Sequence, residues 1–287
     1  MKAETVDSRA AETTTSARTV APPTRSSRSN RRRRSRRAMV GVNAWRVFAL
    51  VVALGLWELA SVQEWIDPRL FGRPSGVWTS LLEYLPSDRA AESLQSTFGA
   101  VAVAFVIGSV SGTLVGLVLG IAPKLDAVLG VFLTPLNSVP RIALAPLFIA
   151  WFGLTASAKV ALAVSIVFFI LAENARSAVR SVDHDLMTMA RVTGLSKVAL
   201  LWKVVLPSAV PSLFVGLRLT FTYSLLGVIA SEMIAARQGL GQDMVFFSSS
   251  YQMNTLFAIL ILLIIIAIFV NFAFSAAERY LLRWQRV

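Results

Sequence analysis

Three charged residues stand inside stretches that otherwise carry no charge: Arg141, Arg218 and Glu232. Such a side chain is expensive in a low-dielectric layer unless it meets a partner, water or a charged solute. Arg141 lies among Pro135, Pro140 and Pro146, and prolines so placed free main-chain carbonyls and kink a helix. The chemistry open to these residues is electrostatic: Arg141 and Arg218 can meet an anionic partner, and either could equally serve as a structural ion-pair or snorkelling residue. Pro140, Arg141, Pro146, Arg218 and Glu232 are therefore the residues whose surroundings matter most.

Bond-making chemistry has no comparable support. Cysteine is absent and His184 is the single histidine, so neither a thiolate nucleophile nor a His/Cys metal cluster can be written. No lysine follows a glycine, which excludes the phosphate-cradling GxxxxGK[ST] loop. No catalytic residue, metal or cofactor is expected; the chain is not an enzyme, and any ATP hydrolysis belongs to another polypeptide.

Residues 188–207, TMARVTGLSKVALLWKVVLP, give a different signal: a short basic run between two apolar segments. Gly194 would permit a main-chain reversal between two short helices. Val198, Leu200, Leu201, Trp202, Val204, Val205 and Leu206 make the second arm apolar on several sides. Such an arm must bury itself against another surface. Pro207 and Pro211 are expected to end the arm and restart the chain as a new helix.

The elements that must position these residues are membrane spans. Of 287 residues 55% are hydrophobic and 15% charged, and uncharged runs of about twenty residues are long enough to cross a bilayer as helix. Spans are expected at about 45–62, 98–122, 125–154 (broken by prolines), 157–175, 211–235 and 255–277, giving an all-α polytopic membrane protein. Residues 63–95 are turn-rich, with amphipathic pieces at the outer surface. Gly108, Gly112, Gly116 and Gly120 recur every fourth position, a strip that lets a neighbouring backbone approach closely.

Residues 1–40 are expected to be a disordered basic cytoplasmic tail and residues 41–287 the membrane domain, with a cytoplasmic loop at about 180–210. Twelve of the 28 Lys and Arg fall between Lys2 and Arg46. Placed before the first span, they read as the positive-inside signal, attracted to anionic lipid, and not as a nucleic-acid site. The outer links carry Arg69, Arg73, Arg89, Lys159 and Arg237. Lys124, Arg176, Arg180, Arg191, Lys197, Lys203, Arg279, Arg283 and Arg286 fall in the other set of links and the tail, an excess that is expected to place both termini inside.

With these residues in view, 188–207 resembles the coupling loop of the permease subunits of binding-protein-dependent ABC importers, E-A-A-x3-G-x9-[IV]-x-L-P. Ala190, Gly194, Val204, Leu206 and Pro207 hold the required spacing, while Thr188 and Met189 replace the usual Glu and first Ala. Pro140, Ala143, Pro146, Leu147, Trp151, Phe152 and Gly153 resemble a stretch of the nitrate, sulfonate and taurine branch. Glu232 to Gly241, EMIAARQGLG, resembles its A-E-M-x-A-x-x-x-G-L-G. The likeness covers about Trp57 to Arg283.

The resemblance implies a type I ABC importer transmembrane domain in a bacterial inner membrane, importing a small anionic organic solute. It also implies two cytoplasmic ATP-binding subunits, a second permease copy forming a homodimer, and an extracytoplasmic solute-binding protein. Ala190, Gly194, Leu201, Val204, Leu206 and Pro207 become the ATPase-coupling residues, and Pro140, Arg141, Pro146, Arg218 and Glu232 the candidate residues of the translocation path, where Arg141 and Arg218 would lend positive potential for anions. Two alternatives stand beside this: a permease of the same design for a pyrimidine or aromatic precursor, and a self-powered secondary carrier. The carrier would need mid-membrane ion sites and usually an internal repeat, whereas Glu58, Glu173 and Glu232 lie towards span ends.

Overall fold

Caps and close-packing glycines decide where the helices begin and how near they come to one another. The computed structural model describes the main chain of residues 25–281 and the side chains of residues 44–281, apart from those of Thr134, His184, Leu186, Met187, Arg191, Lys197, Val198 and Leu201. Helix α1 runs Arg25–Val62, so a helix begins inside the stretch expected to be an unfolded tail; residues 1–24 lie outside the described residues. The chain divides into two compact units after Leu56, and the second unit holds every candidate residue of the path and of the glycine-centred segment.

A short α2 (Pro68–Phe71) and α3 (Pro74–Tyr84) lead into α4 (Asp88–Ile121). The last starts ten residues before the span expected from about Phe98. The Ser87 hydroxyl accepts from the Ala90 N–H at 3.2 Å and Asp88 sits in the first turn, a cap and a dipole partner worth about 1 kcal/mol together or somewhat more. Asn254 Oδ1 accepts the Arg73 N–H at 3.0 Å, fixing the start of α3 to α12 (Met253–Leu281).

The strip of glycines on α4 lies against α7 (Ala156–Arg180). A Cβ on Gly112 would stand 2.4 Å from the Phe168 carbonyl oxygen, and one on Gly116 2.2 Å from that of Ala172. Those distances leave no room for any side chain, so the two backbones pack directly and gain close dispersion contacts along the strip.

The third apolar stretch is α5 (Pro123–Ser138), a 3-10 turn over Arg141–Leu144, and α6 (Ala145–Phe152), bent by 84° at the break. Pro140 stands at the break: it cannot donate a main-chain hydrogen bond, and its ring crowds the preceding turn, whereas Pro146 sits in the first turn of α6, where its missing N–H costs nothing. Helix α10 (Leu206–Ala235) and α11 (Leu240–Ser249) precede α12. Five helices are long and apolar enough to cross a membrane, or up to six if the bent pair forms one span. Their outward faces leave Val110, Phe132, Leu219 and Phe269 more than half exposed or nearly so, a surface suited to hydrocarbon and not to water.

Candidate functional site

The segment between α7 and α10 is built from α8 (His184–Val192), α9 (Lys197–Leu200) and a π turn over Leu201–Val205. Asp183 starts α8 by accepting the Asp185 N–H at 2.8 Å. Its end is a glycine cap: Gly194 has φ +75°, and the Leu195 N–H reaches the Ala190 carbonyl at 3.2 Å. That six-to-one closure uses an orphan carbonyl at the helix end and requires the left-handed residue beyond it. A Cβ on Gly194 would meet nothing within 4 Å, so the position needs glycine for its backbone angle and not for space. Ser196 then caps α9 through the Ala199 N–H at 3.2 Å.

Val205 is 1% exposed and Leu206 packs with Ala175, Ala178, Ala209 and Leu213, anchoring the arm on its own subunit. Met189, Val192 and Trp202 are 66%, 83% and 64% exposed. The apolar surface left open is therefore shared between both arms, with Ala190 buried beneath it. The side chain of Leu201, expected among the coupling residues, lies outside the described ones. The expectation that Pro207 and Pro211 end the arm is corrected: the chain stays helical from Lys197 to Ala235. Pro207 denies the Lys203 carbonyl its usual donor, and the wider π turn falls where that bond is missing.

Beside this segment the Asp126 carboxylate is buried between two arginines of α7. Arg176 Nε lies 2.5 Å from Asp126 Oδ1, and Arg180 reaches the other oxygen. Gly130 leaves the room: a Cβ there would stand 2.5 Å from Arg176 Nη2. The start of α5 is thereby fixed to the end of α7.

Of the translocation-path candidates, Pro140, Arg141 and Pro146 share the bent pair. Arg141 Nη2 donates to the Leu136 carbonyl at 2.6 Å, Nη1 to Asn137 Oδ1 at 3.3 Å, and the guanidinium lies 4.3 Å from the Phe169 ring centre. It borders a cleft of about 320 Å³ with Asn137, Ile142, Ile166, Ile170, Tyr223 and Leu226. Arg218 is not part of that cleft; its Nε donates to Asn271 Oδ1, tying α10 to α12.

Glu232 does not line that cleft either. It is fully buried, paired with Lys159 Nζ at 2.8 Å, and accepts from the Thr97 hydroxyl and the Gly241 N–H at 3.0 Å. Thr97 in turn accepts the Leu240 N–H at 2.9 Å. Lys159, assigned to an outer link by its position in the sequence, is 5% exposed and also donates to Ser96 Oγ at 2.7 Å. The carboxylate thus joins α4, α7, α10 and the start of α11. The two glycines after it make this possible: a Cβ on Gly239 would fall 2.2 Å from the Glu232 carboxyl, and one on Gly241 2.5 Å from the Ile229 carbonyl.

A second acidic knot lies near by. Asp243 accepts from Tyr84 Oη at 2.5 Å, Ser93 Oγ at 2.6 Å and Arg89 Nε at 2.7 Å. Burial, then the bond to the Asp243 carboxylate, push the Tyr84 phenol above its ordinary range, so it stays a donor. Sequence reasoning gave Lys159 to an outer link and assigned no pairing to Asp126 or Asp243. The signals available were local: Arg176 and Arg180 one turn apart on α7, and a lysine at the head of an apolar run.

The family model for the binding-protein-dependent transport system inner membrane component matches residues 92–287. The putative aliphatic sulfonates transport permease protein SsuC of Escherichia coli (strain K12) is 30% identical over 250 residues, covering 87% of this chain and 94% of that protein. The taurine transport system permease protein TauC of the same organism is 26% identical, covering 82% and 88%. Among solved structures, an inward facing conformation of the MetNI methionine ABC transporter aligns with a TM-score of 0.59 at 22% identity, over 66% of this chain and 94% of that one. That likeness is one of fold, the type I importer arrangement. With the matched family model spanning the glycine-capped segment and the chain from the first turns of α4 onward, this chain belongs to the binding-protein-dependent transport system inner membrane components, as a multi-pass permease subunit of an ABC importer.

Proposed function

We propose that two copies of this chain form the passage by which a small organic anion of the sulfonate type enters the cytoplasm, driven by two ATP-binding subunits. An extracytoplasmic binding protein delivers the cargo. The observation that carries the docking claim is the open apolar surface of Met189, Val192 and Trp202 around a rigidly capped Gly194. A neighbouring subunit that covers it differently in two states would bias the helices between them. Lys124, Arg176, Arg180 and Lys203 cluster at this end, which supports a cytoplasmic location for it and for both termini. The N-terminal arginines would then meet anionic lipid headgroups.

The docking test is Trp202→Glu, which places a charge on exposed surface. Copurification with the ATPase is expected to be lost while insertion and thermal stability are kept; intact copurification would overturn the docking claim. Uptake that survives removal of the ATPase would favour the self-powered carrier instead.

For the cargo, Arg141 in its half-apolar cleft favours an anion over a neutral pyrimidine. Arg141→Ala should lower uptake of an alkanesulfonate about tenfold, the loss of roughly one charged hydrogen bond. Uptake of a neutral solute should barely change, and equal losses would remove the electrostatic role.

A further inference from the structure

At the end of α7 remote from the coupling segment, roughly 36 Å away along the helix, a cavity of about 280 Å³ opens over Lys159. Thr155, Ala156, Ser96, Gln238 and Arg237 line it. That size is just under the roughly 300 Å³ at which pockets for whole drug-sized ligands begin, so it suits a headgroup. Its charge is unbalanced. Lys159 and Arg237 bring two positive charges and the buried Glu232 takes one, leaving a surplus of one. Arg237 is exposed and forms no ion pair among the described residues. The first turn of α7 adds the positive end of a 25-residue helix, and Thr155 caps none of its N–H groups with its side chain.

We propose that this cavity is a receiving site for a monovalent oxyanion headgroup, held by Arg237, before the solute reaches the Arg141 cleft. Lys159 floors it without bonding the guest, since its three N–H groups are taken by Ser96 Oγ, Glu232 and the Gln238 carbonyl. Glu232 sets the valence. With Lys159 already neutralised by Glu232, Arg237 supplies the one free positive charge, so a dianion would carry one charge without a counterpart, and its desolvation would be uncompensated. The inference rests on the reading that the cargo is anionic, and it adds a location and a charge limit.

The test uses the full permease with its ATPase in nanodiscs of neutral lipid, with equilibrium binding of methanesulfonate measured directly and sulfate as competitor. Arg237→Gln touches no packed side chain and should bind methanesulfonate about tenfold more weakly. Sulfate should compete at least about tenfold less well than methanesulfonate. Arg69→Gln, an exposed arginine away from both cavities, should leave this binding in place. Wild-type affinity in Arg237→Gln, an equal loss of binding in Arg69→Gln, or a preference for sulfate would each overturn the site. If those results come with intact sulfonate import, the anionic-cargo reading survives. If the wild type neither binds methanesulfonate nor imports any sulfonate, both fall.

Discussion

The two ends of the helix bundle bury their carboxylates in different ways. At one end Glu232 is fully enclosed, its oxygens shared among Lys159, Thr97 and the Gly241 N–H, and α11 folds beside it. At the other, Asp126 is held by Arg176 and by an Arg180 whose side chain is 54% exposed, and the adjoining segment leaves Met189, Val192 and Trp202 open. The first arrangement has every polar group satisfied within the chain. The second leaves an apolar surface that no other described residue covers. The two ends can thus be told apart by where their polar groups find partners and by how much apolar surface they leave open.

The sharpest way to break the comparison is at Glu232. Glu232→Ala leaves Lys159 buried without its counterion and should cost about 3–5 kcal/mol, read as loss of folded yield and thermal stability. Replacing both members, Lys159→Met with Glu232→Leu, should recover much of that loss. If the single variant is as stable as the wild type, the enclosed end is not held by this pair. The next effect is Gly116→Val on the strip between α4 and α7, where the Ala172 carbonyl stands 2.2 Å from any Cβ. The helices must separate there, and a destabilisation of a few kcal/mol is expected. Smallest is Gly194→Ala, with open space but φ +75°. It should cost about 1 kcal/mol and reduce ATPase coupling far less than Trp202→Glu does. A loss as large as that of Trp202→Glu would mean the hinge angle, and not the apolar surface, governs docking.

Much of this was legible in the chain. The spans followed from uncharged length, the strip of glycines from its fourfold spacing, and the turn at Gly194 from one residue type between two short apolar arms. What escaped was pairing across long separations. Lys159 and Glu232 lie 73 residues apart, and nothing in either neighbourhood names the other; Lys159 read as a surface residue because it stands at the head of α7. Continuity through Pro207 was also hidden, since a proline signals a break in local terms while the π turn before it accommodates the missing donor. The start of α4 at Asp88 was readable from Ser87 as a cap, but the mixed composition around it hid the signal.

The uninterrupted helical run from Lys197 to Ala235 has a mechanical meaning. About 13 Å of it carries the exposed surface and about 45 Å packs along α7 and α4 as far as the Glu232 pair, at 1.5 Å per residue. A break at Pro207 would have let the short part swing freely; without one, it shares a single backbone with the packed spans.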